Sequence, residues 1–451
     1  MIEKLVQAGM DVARLNFSHG TNEDRKRLVT FVRRASRKHQ KPIAVLADLQ
    51  GPKIRTGALA TPTGVHLRFG QKFTITTKTK VGDESGVSTT FKQLPASVRK
   101  GDRILLSDGQ IALRVLSARG TEVVTQVENG GRLGQHQGIN LPGAKLKIPS
   151  LTPKDRKDLI SALEIGANYI ALSFVRTAAD VRAAKTAIAR AGKNVPVIAK
   201  LEKPEAIENL DAILAVADGV MVARGDLGVE MNPEQVPIVQ KKIILKARNA
   251  LIPVITATQM LDSMEKNPRP TRAEASDVAN AIFDGSDALM LSGETAAGLY
   301  PLEAVSMMDR IIREAESVAV LPRPARTRNL QINEAIAEAI CHAAEELHLR
   351  VIAVFTESGS SAGLVSKYRP RAPIVAFSAV RETRRRLGLF WGVQPRSIQR
   401  FTDFDLLTET CEKRLLEEKL VEKGDVIGLV AGTPLATSGT TNLMRLIRIG
   451  Q

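Results

Sequence analysis

The feature that most constrains the fold is a repeated alternation of short apolar runs with helix-like segments. Seven runs of strand length recur: Asp11–Ser18, Pro42–Leu49, Ala167–Phe174, Pro196–Glu202, Gly219–Asp226, Pro253–Met260 and Ala288–Gly293. Each is followed, at once or after an insertion, by a segment with helical patterning, such as Ala178–Ala191 or Pro204–Ala217. Strands that alternate with helices form βαβ units, whose parallel sheet is covered on both faces. The sequence therefore predicts an α/β fold.

Polar residues collect where these strands end, and in a (β/α)8 TIM barrel those ends form the catalytic face. They are Asn16, Ser18, Asp48, Lys200, Glu202, Asp226, Thr258, Ser292 and Glu294. A closed barrel needs eight strands, whereas the chain supplies seven and opens with a helix, Met1–Ala8. We therefore expect the first strand of the barrel to be absent, through truncation or a late start codon.

Two segments interrupt the alternation. From residue 57 to 150 the apolar pattern has a period of two with frequent turn signals, which predicts an all-β insertion placed as a lid over the strand ends. A separate α/β unit follows the basic, proline-containing stretch 321–329, which we interpret as a hinge. The predicted domains are a barrel (1–56 and 151–325), a lid (57–150) and a C-terminal α/β domain (326–451).

The composition is that of an ordinary globular protein, with 43% hydrophobic and 25% charged residues. Cys341 and Cys411 are too few for a disulfide framework, and no apolar run approaches the roughly 20 residues of a membrane helix, so we expect a cytoplasmic protein. The net charge of +16 is compatible with anionic partners such as phosphorylated metabolites, but a solvated basic surface is the simpler explanation, and charge alone identifies no partner. Because aromatic residues make up only 4%, the composition argues against nucleic acid as a partner, in particular against single strands stacked on aromatic side chains.

The stretch from residue 196 to 226 carries the clearest chemistry. Lys200 and Glu202 are two apart on a predicted strand and share one face, and Asp226 ends the next strand. Two carboxylates with open positions for water and phosphate oxygens suit Mg²⁺ or Mn²⁺, while a lysine beside them can neutralise a phosphoryl group. Gly225 lets backbone N–H groups approach an anion. The alternative is a structural ion pair and a helix-capping aspartate.

A second group of candidates lies near the start of the chain. Arg14, Asn16 and Ser18 alternate on one face of a strand, where an arginine can bind phosphate and the two oxygen donors can hold a cation. Asp48, if buried, requires cations or donors near it, and Arg55 follows the turn at Gly51.

Two hydroxyl residues, Thr258 and Ser292, are expected at strand ends, where they can relay a proton. Hydroxyl groups at such positions also cap helices.

Together these segments resemble the pyruvate kinase family along essentially the whole chain. The resemblance rests on motifs such as RLNFSHG, DLQGPKIRTG, AKLEKPEAIENLDAI, DGVMVARGDLGVE, ATQMLDSM and LMLSGETAAGLYPLEAV. It implies a (β/α)8 barrel interrupted by a β-rich lid and followed by a C-terminal domain. It also implies phosphoryl transfer from phosphoenolpyruvate to ADP, which yields ATP and pyruvate, in a homotetramer.

The resemblance also implies a role for each matching residue. Glu202 and Asp226 hold Mg²⁺, and Lys200 stabilises the phosphoryl group in transfer. Arg14 contacts the substrate, and Arg55 and His19 contact the nucleotide. The implied substrate contacts further include the backbone N–H groups of Gly225 and Asp226 and the side chain of Thr258, with Ser292 in proton delivery.

Two departures from the family pattern bear on function. Members that depend on K⁺ carry glutamate where this chain has Lys53. We expect the Lys53 ammonium to replace the K⁺ that would otherwise lie beside Asn16, Ser18, Asp48 and Leu49, so that K⁺ is not required. Many bacterial relatives have a nucleotide-contacting lysine in place of Gln137. Its loss either weakens ADP binding or is compensated by a neighbouring basic residue.

The C-terminal domain contains a strand-to-helix turn rich in hydroxyl groups, formed by Thr356, Ser358, Gly359, Ser360 and Ser361. Such a turn can bind phosphate through N–H and hydroxyl groups, and the family binds a phosphorylated effector there, together with a loop that corresponds to Gly432–Gly439. A capped helix without a ligand is the alternative.

Two other functions are compatible with parts of this pattern. A Mg²⁺-dependent barrel aldolase or lyase would use the same carboxylates, but it needs neither the Arg14 and Arg55 pair nor a lid. A catalytically impaired binding protein is the other alternative, and the presence of every catalytic residue type argues against it.

Overall fold

The computed structural model describes residues 1–144, 148–318, 321–325, 330–435 and 439–451. It begins with helix α1, and the first βα unit follows. The elements of this part are α1 (Ile2–Gln7), β1 (Val12–Asn16), α2 (Asn22–Lys38) and β2 (Ala44–Asp48). Thr21 caps α2 and forms a reciprocal capping box with Asp24, which explains why the helix begins at Asn22.

The insertion after β2 consists mainly of β-strands, as predicted, and it also contains one short helix that the pattern did not predict. Its elements are β3 (Val65–Leu67), β4 (Lys72–Thr76), β5 (Gly86–Ser88), α3 (Leu94–Ser97), β6 (Arg103–Leu106), β7 (Ile111–Arg119), β8 (Glu122–Asn129), β9 (Gly131–Leu133) and β10 (Ile139–Asn140). Six of the strands form one sheet in the order β10-β6-β7-β8-β4-β5, and β3 pairs with β9. The lid has its own apolar core, which includes Phe73, Leu106 and Leu113.

The chain then returns to the parallel sheet and its covering helices. The elements are α4 (Pro153–Glu164), β11 (Tyr169–Leu172), α5 (Ala178–Arg190), β12 (Val197–Leu201), α6 (Pro204–Glu208), α7 (Leu210–Leu214), β13 (Gly219–Ala223), α8 (Arg224–Glu230), α9 (Val236–Asn249), β14 (Val254–Ala257), α10 (Arg272–Asp284), β15 (Ala288–Met290), α11 (Gly293–Ala296) and α12 (Pro301–Val318).

All seven predicted strands pair in one parallel sheet, in the order β1-β2-β11-β12-β13-β14-β15. Within the described residues the outer strands β1 and β15 do not pair with each other, which agrees with the predicted count of seven. Both faces of the sheet are buried. Along β2, for example, Val45 and Ala47 pack in one apolar cluster, whereas Ala44 and Leu46 pack in another.

One predicted helix is wrong in its extent. The segment 204–217 forms two short helices, α6 and α7, that are separated at Asn209. The side-chain amide of Asn209 donates hydrogen bonds to the carbonyls of Glu205, at 2.9 Å, and Arg176, at 3.2 Å. The side chain shares the Glu205 carbonyl with the backbone N–H of Asn209, which donates to it at 3.1 Å, and it ties the end of α6 to the segment that precedes α5.

The C-terminal part is a second α/β layer structure. Its elements are α13 (Ile332–Glu346), β16 (Val351–Phe355), α14 (Ser360–Lys367), β17 (Ile374–Ser378), α15 (Arg381–Leu387), β18 (Val393–Ser397), α16 (Phe404–Glu417), β19 (Val426–Gly432) and β20 (Thr441–Arg448). The sheet order is β18-β17-β16-β19-β20, with β20 antiparallel to its neighbour. Residues 326–329 of the predicted hinge lie outside the described residues.

A buried ion cluster joins this domain to the parallel sheet. Asp287, just before β15, accepts a hydrogen bond from the ammonium of Lys367 at 2.6 Å, and its second oxygen lies 3.0 Å from the guanidinium of Arg369. The three groups are buried, so the cluster exchanges little with water. None of the described helices is both long and apolar enough to cross a membrane.

Candidate active site

Lys200 occupies the centre of the predicted site. It lies on β12, whose strand neighbours are β11 and β13. Its ammonium nitrogen is 2.8 Å from Oε1 of Glu202 and 3.1 Å from Oδ1 of Asp48, and it donates a hydrogen bond to the hydroxyl of Ser173 at 2.8 Å. The prediction that Lys200 and Glu202 share one face is confirmed. Two further partners come from elsewhere in the sheet: Asp48 ends β2, and Ser173 directly follows β11.

Asp48 is buried, with a side chain that is 2% exposed, and it is surrounded by cations. The guanidinium of Arg14, on the adjacent strand β1, donates to Oδ2 of Asp48 at 2.7 Å. Burial alone would raise the pKa of Asp48, but Lys200 and Arg14 outweigh it and lower that pKa. Asp48 is therefore ionised, and it holds Arg14 and Lys200 at one end of the sheet.

The same cluster shifts the pKa values of its other members. Burial disfavours the charged form of Lys200, but the carboxylates of Asp48, Glu202 and Asp226 outweigh burial and raise its pKa. Burial raises the pKa of Glu202, and the nearby charge of Asp226 adds to this rise, against the attraction of Lys200. The site therefore holds a permanent cation beside two carboxylates that repel each other.

Asp226 lies on a helix, which corrects the prediction that it ends a strand. Strand β13 ends at Ala223, and Asp226 is in the first turn of α8. At this point the N–H of Gly225 donates to the hydroxyl of Thr258 at 2.8 Å. A substrate carboxylate bound by Gly225 would have to replace that hydroxyl.

Thr258 has a strained backbone. Its φ is +71°, in the left-handed region that β-branched residues rarely adopt. The guanidinium of Arg224 donates to the Thr258 carbonyl at 2.6 Å, and Asp277 holds that guanidinium at 2.6 Å. Such strain persists only where surrounding contacts hold it, and it collects at functional sites.

Ser292 is held by its backbone. Its N–H donates to Oε2 of Glu294 at 2.7 Å, and the other oxygen of Glu294 accepts the N–H of Leu261 at 3.1 Å. Glu294 thus ties the loop after β14 to the loop after β15. Among the described residues that line the two cavities below, Thr258 is present and Ser292 is not.

Two cavities open at the carboxyl ends of the strands. The smaller, of about 80 Å³, is lined by Arg14, Asn16, Ser18, Asp48, Leu49, Lys200, Thr258 and other residues of the sheet. The larger, of about 290 Å³, lies between lid and barrel, and its walls include His19, Arg55, Gln137, Asn140 and Lys203. Lys53 and Asp226 line both. The site thus has one compartment beside Lys200 and another, beneath the lid, that meets it.

Three of the residues predicted to surround a monovalent cation, Asn16, Asp48 and Leu49, already accept hydrogen bonds from protein donors. Oδ1 of Asn16 accepts the N–H of Ser18 at 2.9 Å, and the carbonyl of Leu49 accepts the hydroxyl of Ser173 at 2.6 Å. The carboxylate of Asp48 binds Arg14 and Lys200. Donor groups of the protein itself therefore satisfy the oxygen atoms of Asn16, Asp48 and Leu49 in the structure.

Sequence reasoning missed Ser173 and Phe174. The hydroxyl of Ser173 links Lys200 to Leu49, and the N–H of Phe174 donates to Oε2 of Glu202 at 2.8 Å. Phe174 has a φ of +56°, which turns its N–H toward the glutamate. The signal that was available is the position of both residues just past the end of β11, the same place as the other polar site residues.

The carboxylates are suited to a magnesium ion that shares its ligands with a substrate. Within the described residues no group of three histidine, cysteine, aspartate or glutamate side chains is placed to hold a metal. Mg²⁺ commonly binds through one or two carboxylates, water and phosphate oxygens. The mutual repulsion of Glu202 and Asp226 is the electrostatic condition that a divalent cation relieves.

The C-terminal domain has a cavity of about 60 Å³ at the predicted effector turn. Its walls include Thr356, Ser358, Ser360 and Ser361 from the turn and the residues Gly432, Leu435 and Gly439 from the predicted loop. Gly359, with a φ of +96°, precedes α14. Residues 436–438 of that loop lie outside the described residues.

Comparison with known proteins agrees with this geometry. The family model of the pyruvate kinase barrel domain matches residues 1–305, and that of the pyruvate kinase alpha/beta domain matches residues 334–447. The chain belongs to the pyruvate kinase family. The predicted fold class, a (β/α)8 barrel with an inserted lid and a C-terminal α/β domain, is confirmed by these matches together with the parallel sheet.

Individual members of the family match nearly the full chain. A pyruvate kinase of Mycobacterium tuberculosis is 46% identical over 451 residues, which cover 100% of this chain and 95% of that protein. A pyruvate kinase of Thermotoga maritima is 44% identical, with 100% and 96% covered. The crystal structure of a pyruvate kinase from Cryptosporidium parvum has a TM-score of 0.93 at 36% identity and covers 99% of this chain and 92% of that one.

Proposed function

We propose that this chain transfers the phosphoryl group of phosphoenolpyruvate to ADP and releases ATP and pyruvate. The observation that carries the proposal is that carboxylate oxygens of Asp48 and Glu202 both lie within 3.1 Å of the ammonium nitrogen of Lys200. The compartment beside this cluster meets a second compartment beneath the lid. The smaller compartment takes the enol phosphate and the larger one takes the nucleotide.

Positioning and charge neutralisation account for the transfer. Arg14 and Lys200 place positive charge beside the phosphoryl oxygens, so the bond from phosphorus to the enol oxygen breaks as the bond to a β-phosphate oxygen of ADP forms. Arg55 and His19, in the wall of the larger cavity, bind the nucleotide phosphates. The residual enolate takes a proton at carbon on the side of Thr258, with Ser292 in the relay that supplies the proton.

Glu202 and Asp226 would hold Mg²⁺, or Mn²⁺ in its place. When bound there, the ion would supply positive charge between these carboxylates and the phosphoryl oxygens. The carboxylates of Asp48, Glu202 and Asp226 keep Lys200 in its charged form. Its ammonium, at the end of β12, therefore adds to the positive charge that the metal ion would supply.

A lactate dehydrogenase-coupled assay with phosphoenolpyruvate, ADP and Mg²⁺ tests the proposal. We expect turnover that disappears on chelation of the divalent ion and returns with Mg²⁺ or Mn²⁺. A folded protein without turnover would overturn the proposal. In that case a barrel aldolase, a lyase or a binding protein would have to be considered.

Three further properties belong to the same proposal. Lys53 takes the place of K⁺, so turnover needs no K⁺.

The hydroxyl-rich cavity at Ser358, Ser360 and Ser361 binds a phosphorylated effector, which a titration with sugar phosphates and AMP would reveal as a change in the KM for phosphoenolpyruvate. The chain assembles as a homotetramer, which light scattering would detect as four times the 48.9 kDa chain mass.

A further inference from the structure

Glu230 binds two residues from different parts of the molecule through one oxygen. Its Oε1 lies 2.6 Å from the ammonium of Lys203 and accepts a hydrogen bond from the side-chain amide of Asn140 at 2.9 Å. The side chain of Glu230 is 2% exposed and that of Lys203 is 11% exposed. We refer to Asn140, Glu230 and Lys203 as the lid triad.

Each member of the lid triad belongs to an element with a role in the site. Lys203 directly follows Glu202, and Glu230 ends α8, the helix that carries Asp226. Asn140 ends β10 of the lid and lines the larger cavity. The triad therefore connects the segments of both proposed metal ligands to the lid wall of the nucleotide compartment.

The charges make this connection strong. A buried carboxylate is costly unless it is paired, and Lys203 supplies the pair for Glu230. A hydrogen bond from an amide to an ionised carboxylate is roughly twice as strong as one between neutral groups. The ion pair within the barrel therefore provides a fixed, strong acceptor for a single donor from the lid.

We propose that the lid triad positions the lid for nucleotide binding. The contact between Asn140 and Glu230 sets the distance between the lid wall of the larger cavity and the helix that carries Asp226, so that ADP phosphates reach the site of transfer. This inference rests on the proposed phosphoryl transfer to ADP. The three residues are positioning residues, and the smaller compartment beside Lys200 does not depend on them.

The decisive variant is Asn140→Ala, which removes the lid donor and leaves the ion pair intact. We expect the KM for ADP to rise by roughly tenfold, the loss that corresponds to one hydrogen bond to a charged acceptor. The KM for phosphoenolpyruvate should stay within twofold of the wild-type value. The matched control is Asn129→Ala. Asn129 donates to the carbonyl of Gln110 at 2.7 Å within the lid itself, so both KM values should remain unchanged.

A double-mutant cycle tests whether the three residues act together. The paired change Lys203→Met and Glu230→Gln removes both charges and keeps an acceptor oxygen for Asn140. It should raise the KM for ADP by about threefold in the wild-type background, because a neutral acceptor is weaker. In the Asn140→Ala background it should add less than twofold. Equal effects in both backgrounds would overturn the proposal.

Hydrogen–deuterium exchange provides a readout that does not depend on turnover. The N–H of Ile139 donates to the carbonyl of Ile54 at 2.9 Å, where the lid meets the barrel. We expect peptides that cover residues 137–141 to exchange faster in Asn140→Ala and at the wild-type rate in Asn129→Ala. A wild-type KM for ADP in Asn140→Ala would overturn the lid triad proposal even if exchange changed. Absence of turnover in the wild-type protein would instead overturn the proposed function.

Discussion

The ammonium of Lys200 lies 2.8 Å from the carboxylate of Glu202, two residues further along the chain. Because this ammonium lies beside Glu202 and is also influenced by the charge of Asp226, the change Lys200→Met should lower kcat by roughly 10³-fold. Initial rates in the coupled assay measure this effect, with circular dichroism to verify folding. Lys185→Met is the control, since Lys185 pairs with Asp218 at the surface and should retain wild-type kcat. A loss of less than tenfold in Lys200→Met would contradict the role of Lys200.

The charge at Lys53 should determine the response to K⁺. We expect the wild-type rate to be the same with tetramethylammonium as the monovalent cation as with K⁺ at equal ionic strength. Lys53→Glu replaces a positive charge by a negative one in the wall shared by the two cavities, so this variant should become active only when K⁺ is added. Lys80→Glu, which alters an exposed lysine of the lid, should remain independent of K⁺. A K⁺ requirement in the wild-type enzyme would refute the role of Lys53.

A lysine introduced at Gln137 should change ADP binding little. Gln137 lines the larger cavity, and its side-chain amide donates only a long hydrogen bond, at 3.3 Å, to the carbonyl of Gln135. Lys53 and Arg55 already line the same cavity, so the expected change in the KM for ADP of Gln137→Lys is less than twofold. Steady-state kinetics at saturating phosphoenolpyruvate would measure it. A fall of more than threefold would show that a phosphate contact is missing in the natural chain.

The ion cluster at Asp287, which joins the C-terminal domain to the parallel sheet, should make the folded protein less stable at acid pH. Burial alone would raise the pKa of Asp287, but Lys367 and Arg369 outweigh it and lower the pKa from its ordinary 3.8. A lowered carboxylate pKa contributes stability that is complete above the unfolded value and is lost as the pH falls through the native one. At pH 7, Asp287→Asn leaves two buried cations unpaired and should cost about 3–5 kcal/mol.

Thermal unfolding at several pH values tests this expectation. The difference in Tm between wild type and Asp287→Asn should be largest at neutral pH and should shrink below about pH 4. Asp211→Asn, which removes an exposed partner of Lys246, should change the stability by less than about 1 kcal/mol at every pH. A difference that persists unchanged into acid would assign the effect to packing alone.

The sequence predicted the parallel strands well because each is an apolar run whose polar end marks the active face. The strands at Val12–Asn16 and Val197–Leu201 both fall inside the predicted runs. The pattern could not show that Asp226 lies on a helix, because β13 ends at Ala223 and α8 begins at the next residue, with no turn-forming segment between them to mark the change.

Sequence patterns could not predict which residues from distant segments contact each other in the site. Ser173 binds Lys200, and Asn140 of the lid binds Glu230, across 27 and 90 residues of chain. A lone serine or asparagine has no periodic signal, and only the folded chain shows which charged group it meets. Asn209, where the predicted helix divides in two, likewise binds the carbonyl of a distant residue, Arg176.

The shared wall of the two cavities has a consequence for inhibitor design. Lys53 and Asp226 border both compartments, so no protein layer separates the two at that point. One molecule that joins an enol phosphate mimic to an adenosine diphosphate through a short linker would fill both compartments at once. Its second half would bind at the millimolar effective concentration that a short tether provides, and its affinity would exceed that of either half by orders of magnitude.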